Sequence, residues 1–271
     1  PSRSEEGFKY VLVAIDESTS RSWSIGLKKK SGLKKALEQV ISEIETKMRG
    51  RRVSSLETES TGVPHIVETR SDNAKENLVK GMIDLCKRNG TKMETSVPYQ
   101  QWQNGTAEKL GGHIMKSGRA LQYGGCLPER DWFKCVSAFN HIRNRTPNTN
   151  SASHGGRTPY ELWHGIDMAL IDQIDHLRVI GSLVYVVIPD DLVRAGGKKS
   201  YKGVLLGYAE EREPAQKAYV VRRLNDGWIT TGTYAQTYVH EHLLPYKIID
   251  DDMYKRGDNH DGENEPSKSI E

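Results

Sequence analysis

Residues 9–27 read KYVLVAIDESTSRSWSIGL. The run KYVLVAI ends at Asp16, an EST turn follows, and residues 21–27 return with Trp23 inside them. Two β-rich runs about a short turn predict a hairpin. Immediately after it, GLKKALEQVISEIETKM (32–48) carries Leu33, Leu37, Val40, Ile41, Ile44 and Met48 at helical spacing, with Ser31 as the expected cap. The polar stretch 50–62 reads as a loop, 63–69 as a strand, and Asp72 stands just past the end of that strand. A second helix is expected over 74–88, with Leu78, Met82 and Leu85 on its buried side and Asn89-Gly90 ending it. The loop TSVPYQQWQNG (95–105) leads to a third helix opening near Thr106. A fourth runs over 129–145 with Trp132, Phe133, Val136, Phe139 and Ile142 on its apolar face. TPYELWHG (158–165) adds one short helical turn after a polar loop. Strands interleaved with helices define an α/β class.

Beyond Asp175 the period changes. RVIGSLVYVVI (178–188), KGVLLGY (202–208), AYVVRRL (218–224) and 228–233 are strand-like, and Asn225-Asp226-Gly227 is a tight-turn signal. The expected organisation is an α/β core over 1–165, a small all-β module over 166–247, and an acidic, disordered tail over 248–271.

The formal charge of +3 over 271 residues hides a polarity. The tail carries eight acidic and three basic residues, a net of −5, so the rest carries +8. A basic body suits a polyanionic partner, and equally an ordinary solubilising surface. Lys198, Lys199, Lys202, Arg222 and Arg223 place part of that charge on the β module, which reads as an accessory DNA-binding, multimerisation or purely structural unit. The three cysteines, Cys86, Cys126 and Cys135, are scattered, which points to neither a disulfide framework nor a structural zinc site and suits an intracellular protein. No apolar run of about 18 residues and no signal pattern occurs, so no membrane role is expected. The chain opens on Pro1 and reads as a fragment of a longer polyprotein.

Two carboxylates carry the chemistry: Asp72 in RSDNAKE and Glu108 in QNGTAEKL. An aspartate after a strand and a glutamate in the first turn of a helix suit a divalent cation, a hard ion that prefers oxygen ligands. Taken alone, the same two positions describe a turn residue and a partner of the helix dipole. At about 100° per residue, Lys109, His113, Lys116 and Arg119 fall beside the azimuth of Glu108. That stripe reads as a phosphate-backbone contact or as a solvated helix face. Tyr99 and Trp102, in the loop before the helix, are candidates for contacting DNA, and Trp102 equally for anchoring the core.

The runs KYVLVAIDESTSRSWSIGLKKKS, RSDNAKE, VPYQQWQNGTAEKL, FNHIRNRTPN and GRTPYELWHG, in that order, resemble the integrase of copia-type retrotransposons. HLRVIGSLVYVVIP and YKGVLLGY are similar to the same family's region after the core, and the likeness covers roughly residues 9–240. The 35 residues between Asp72 and Glu108 match the interval of that family. The resemblance implies a ribonuclease H-like mixed sheet flanked by helices. It also implies Mg²⁺ (or Mn²⁺) held by Asp72 and Glu108, and processing and joining of element DNA ends to target DNA by a homo-oligomer in a eukaryotic nucleus. The family's first metal-binding aspartate belongs upstream of KYVLVAID, as does its zinc module, so no zinc is expected within these residues. Asp16 resembles a separate family aspartate, a neighbour of the site and a fallback ligand. Two departures stand out: Ala74 replaces a glycine, and Gly111-Gly112 interrupt the helix of Glu108, where two interior glycines cost roughly 2 kcal/mol relative to alanine. They keep open a catalytically inactive integrase that acts as a binding module. A ribonuclease H-type nuclease is a third reading.

Overall fold

The expected hairpin is there. In the computed structural model, which describes residues 3–54, 68–71, 83–88, 90, 92–95, 105–147, 155–165, 174–193, 196–209 and 217–247, β1 (Tyr10–Ile15) pairs antiparallel with β2 (Ser22–Leu27). Alternate side chains of a strand take opposite faces. Val11, Val13 and Ile15 therefore pack together on Leu110, Ile114 and Val136, while Ala14, Trp23 and Ile25 meet Val40, Ile44 and Trp163 on the other side. Burial on both faces is why KYVLVAI reads as a continuous apolar run rather than an alternating one.

Helix α1 (Leu33–Ser54) is longer than its periodicity indicated. Gly50 costs about 1 kcal/mol in a helix, which is too little to end one whose neighbours are good helix formers. Ser31 is not its cap; it lies in the 3-10 turn Lys30–Gly32 that leads into the helix. Strand β3 (Glu68–Ser71) pairs in parallel with β4 (Lys92–Thr95), with Glu68 opposite Lys92. The sequence signal for β4 is poor, because KMET is short and has no alternation. A parallel pair needs a crossover of a dozen or more residues, usually helical, and residues 83–88 between the two strands are helical. The rest of the helix expected over 74–88 lies outside the described residues, as does most of the strand expected over 63–69.

Helices α2 (Gly105–Gly124) and α3 (Trp132–Asn144) pack closely. A Cβ on Gly118 would stand 2.8–3.0 Å from atoms of Val136, so only glycine permits the approach. Helix α4 (Pro159–His164) has a complete capping box: Thr158 and Glu161 each accept the other's backbone N–H, at 3.2 and 2.7 Å. Gly165 ends it in the left-handed conformation.

The later strands, β5 (Leu183–Val187), β6 (Ser200–Tyr208), β7 (Ala218–Arg223), β8 (Ile229–Thr233) and β9 (Thr237–His240), form one antiparallel sheet in the order β8-β7-β6-β5-β9. The strand expected from residue 178 begins only at Leu183. Gly181 adopts φ +92° and lies so near Gly125 that a Cβ would stand 2.5 Å from its Cα, which takes the chain out of extended geometry.

Helix α3 is shared between the two halves. Val136 joins the cluster against β1, whereas Cys135 and Ala138 join Leu127, Ile180, Val184, Val204, Leu205 and Val221 in the core of the sheet. An antiparallel hairpin, a parallel pair with helical crossover residues, a five-stranded antiparallel sheet and flanking helices make a mixed α/β protein.

Candidate metal and nucleic-acid site

Glu108 stands in the first turn of α2 and is exposed. The helix presents two sides. Leu110, Ile114 and Gly118 are buried against β1 and α3, and Glu108, Lys109, His113, Lys116 and Arg119 are exposed. The expected stripe is thus a real face, set by which residues the hairpin and α3 bury. Among the described residues, Glu108, Lys109, Lys116 and Arg119 make no ion pair or side-chain hydrogen bond. His113 differs from the rest, since its ring packs edge-on against Phe139 with centroids 5.2 Å apart. The double glycine does not break α2, which is continuous from Gly105 to Gly124.

Asp72 lies outside the described residues, as do Ala74, Tyr99 and Trp102; β3 ends at Ser71, directly before Asp72 in the chain. Asp16 is a turn residue. Its Oδ2 accepts hydrogen bonds from Ser18 Oγ (2.7 Å), Thr19 Oγ1 (2.6 Å) and the Thr19 backbone N–H (3.0 Å). Among the described residues no three His, Cys, Asp or Glu side chains come together as a metal site. Glu108 itself fits a hard divalent ion: a carboxylate, exposed, with no competing cation paired to it among those residues. Among the described residues no helix is long and apolar enough to cross a membrane.

Three polar networks tie α3 and the turn before it to the rest of the molecule, and sequence reasoning missed all of them. The run FNHIRNR grips the start of β2. Asn140 and Asn144 each donate to the Ser22 carbonyl, at 3.0 and 2.9 Å. Ser22 donates through its hydroxyl to Asn140 Oδ1 (2.6 Å) and through its backbone N–H to Asn144 Oδ1 (3.0 Å), while Arg143 donates to the Ser20 carbonyl at 2.9 Å. The i,i+4 spacing of the two asparagines was the available signal.

A second network joins α3 to the sheet. His141 Nε2 and His176 Nε2 lie 2.8 Å apart, His141 stacks on Tyr208, and His176 stacks on Tyr234. Arg145 approaches His141 Nδ1 at 3.2 Å and its guanidinium covers the Tyr160 ring at 4.3 Å. Burial first, then the Arg145 charge, holds His141 well below its ordinary value and pushes His176 down to about 4.

The third network corrects the charge reading of the β module. Arg222 is no surface cation: it is 1% exposed, donates to both oxygens of Asp131 at 2.5 Å and pairs with Glu5. Burial opposes its charge, but Asp131, Tyr246 and Glu5 together raise its pKa. Arg223 pairs with Asp226 at 3.1 Å.

This arrangement defines a mixed α/β protein with a basic helix face, without ion-pair partners among the described residues, beside a carboxylate. Comparison with known proteins finds similarity to the retrovirus-related Pol polyprotein from transposon RE1 of Arabidopsis thaliana, 23% identical over 248 residues. That match covers 91% of this chain and 15% of the polyprotein. The corresponding polyprotein from transposon RE2 of the same plant is 26% identical over 147 residues, 54% of this chain and 9% of the relative. The chain therefore spans only a small part of either relative. The cryoEM structure of the simian T-cell lymphotropic virus intasome in complex with PP2A regulatory subunit B56 gamma aligns with a TM-score of 0.44 at 13% identity, over 90% of this chain and 76% of that one. No family model matches. The chain is similar to retrotransposon Pol polyproteins, consistent with the integrase resemblance of its motifs.

Proposed function

We propose that this chain is the core and following β module of a copia-type retrotransposon integrase, a metal-dependent polynucleotidyl transferase that processes element DNA ends and joins them to target DNA. The observation that carries the reading is the exposed face of α2, where Glu108 stands beside Lys109, Lys116 and Arg119 without partners among the described residues. Similarity to the two transposon polyproteins supports it independently. In this reading the core occupies residues 1–165 and the module 166–247, with the acidic tail after them, and the protein works as a multimer on DNA in the nucleus.

Asp72 and Glu108 would hold Mg²⁺ or Mn²⁺, with Asp16 a neighbour rather than a ligand. When bound, the ions supply charge neutralisation at the phosphodiester and activation of the attacking oxygen. The chain's own part is positioning. Lys109, Lys116 and Arg119 bind backbone phosphates and set the register of the duplex. Leu110 and Ile114, buried on β1, hold the helix so that Glu108 keeps its place relative to that duplex.

The test is joining of a labelled duplex end to plasmid DNA in Mg²⁺ by the chain extended upstream, where the resemblance places the first metal-binding aspartate. Asp72→Asn and Glu108→Gln should each lower joining by about a hundredfold or more, while duplex retention on a filter stays at the wild-type level. Replacing Lys109, Lys116 and Arg119 together by alanine should instead weaken duplex binding and flatten its log–log salt slope by about 2 to 3. Intact joining by Asp72→Asn would sink the site assignment. An extended chain that retains duplex but joins nothing would favour the second reading, an inactive integrase-derived binding module.

A further inference from the structure

The outer face of the β sheet is divided. Residues directly opposite one another on paired strands share a face, and so do alternate residues of one strand. Val204, paired with both Leu183 and Arg222, and Gly207 belong to the part covered by α3 and the turn before it, where Gly207 approaches Ala138 and Arg222 meets Asp131. Two residues along each strand the same face is open. There Tyr238 on β9 stands opposite Tyr185 on β5, and Tyr185 stands opposite Lys202 on β6. Lys202 accepts through its backbone carbonyl from the N–H of Leu224, so Leu224 continues the row across a fourth strand position.

Along this row Tyr238 is 63% exposed, and Leu224 and Lys202 are exposed. The Lys202 ammonium lies 5.4 Å over the Tyr185 ring, and the exposed His240 packs edge-on to that ring at 5.3 Å. Tyr238 has no ring partner among the described residues. None of the five residues is acidic. Lys198 and Lys199, both exposed, lead into β6 at this end of the sheet, and Lys199 lies 3.8 Å from an exposed Asp190.

We infer that this row is a binding platform for single-stranded DNA, with Tyr238 as the stacking surface for an unpaired base and Lys202 as the contact to the adjacent phosphate. Aromatic rings set on a sheet among basic side chains are the arrangement that binds a strand whose bases are free, because every base has a face to stack. A protein partner fits less well, since lysine is depleted at the centres of protein interfaces. DNA is taken as the ligand because the proposed function acts on DNA, and an RNA strand is the alternative that oligouridine binding decides. The platform is on a different element from the metal site and does not depend on it.

Anisotropy of fluorescein-labelled oligothymidine and of a labelled duplex, titrated with the full chain, tests this. Tyr238→Ala should weaken oligothymidine binding by about 5- to 100-fold, and Tyr238→Phe should keep it, because stacking needs the ring and not the hydroxyl. Lys202→Ala should lower the salt slope for the single strand by about 0.7. Duplex affinity should stay unchanged in each variant. Tyr238→Ala with unaltered oligothymidine binding, or with equal losses on single strand and duplex, would overturn the inference. So would tighter binding of oligouridine, or a change in sedimentation without a change in anisotropy, which would make the row a contact between copies of the chain. Should Tyr238→Ala fail to fold, the Lys202→Ala slope carries the test alone.

Discussion

Arg222 and Asp131 are 91 residues apart in the chain, and each is almost wholly buried against the other. A guanidinium held by both oxygens of a carboxylate is a planar, two-bond match, and here it ties β7 to the turn before α3. Removing one partner leaves a charge in a site that water does not reach. Asp131→Ala should therefore lower unfolding stability by about 3–5 kcal/mol, read as a fall in urea midpoint. Replacing Arg222 and Asp131 together by Met and Leu should recover much of that loss. A single-variant loss below about 1 kcal/mol would mean that the pair is solvated in solution.

At the scale of elements, three interior glycines of α2 carry opposite expectations. Among the described residues, no atom outside the adjoining turns of the helix lies within 4 Å of where a Cβ would stand at Gly111 or Gly112, whereas at Gly118 it would run into Val136. Gly111→Ala and Gly112→Ala should each raise stability by about 1 kcal/mol through helix propensity. Gly118→Ala should lower it, by about 1–3 kcal/mol, because α3 must move to admit the methyl group. Thermal melts of the three variants decide the matter, and stabilisation by Gly118→Ala would show that the helices separate easily. Gly111 and Gly112 do not interrupt the helix that carries Glu108, so they weaken α2 without dismantling it.

At the scale of the whole molecule, α3 touches the hairpin with one side and the sheet with another, and the His141–His176 contact lies at the second junction. That bond needs one ring nitrogen to donate and the other to accept, so at least one imidazole must be neutral. Facing the pair are Arg145, Arg21, Lys217 and Arg178, with Asp175 as the opposing charge and the Tyr208 and Tyr234 rings stacked on them. The folded-state pKa of His176, about 4, is below the unfolded value near 6.5. The unfolded chain thus binds more protons between those values, and stability rises with pH across that window. The contribution should be present in full above about pH 6.5 and lost as pH falls towards 4. Urea midpoints measured between pH 5 and 7 should decline on acidification, and His176→Phe, which keeps a ring against Tyr234, should flatten the slope. An unchanged slope in that variant would assign the dependence to other groups.

Much of this architecture is legible in the chain because it is local. The hairpin around Asp16, the helical period of α2 and α3, the short helix after Thr158 and the change to strands after Asp175 are written in neighbouring residues. So is the stripe beside Glu108, since helix geometry alone puts Lys109, Lys116 and Arg119 on one side. The strand β4 was not, because four residues without alternation carry no period. What only the tertiary structure decided is which charges are surface and which are core. Arg222 and Arg223 are adjacent and look alike, yet strand alternation turns one inward to Asp131 and Glu5 and leaves the other with Asp226. His141 and His176 show no ligand spacing and still meet at 2.8 Å. Composition counts charges, but the desolvation that sets what each one does depends on partners distant in sequence.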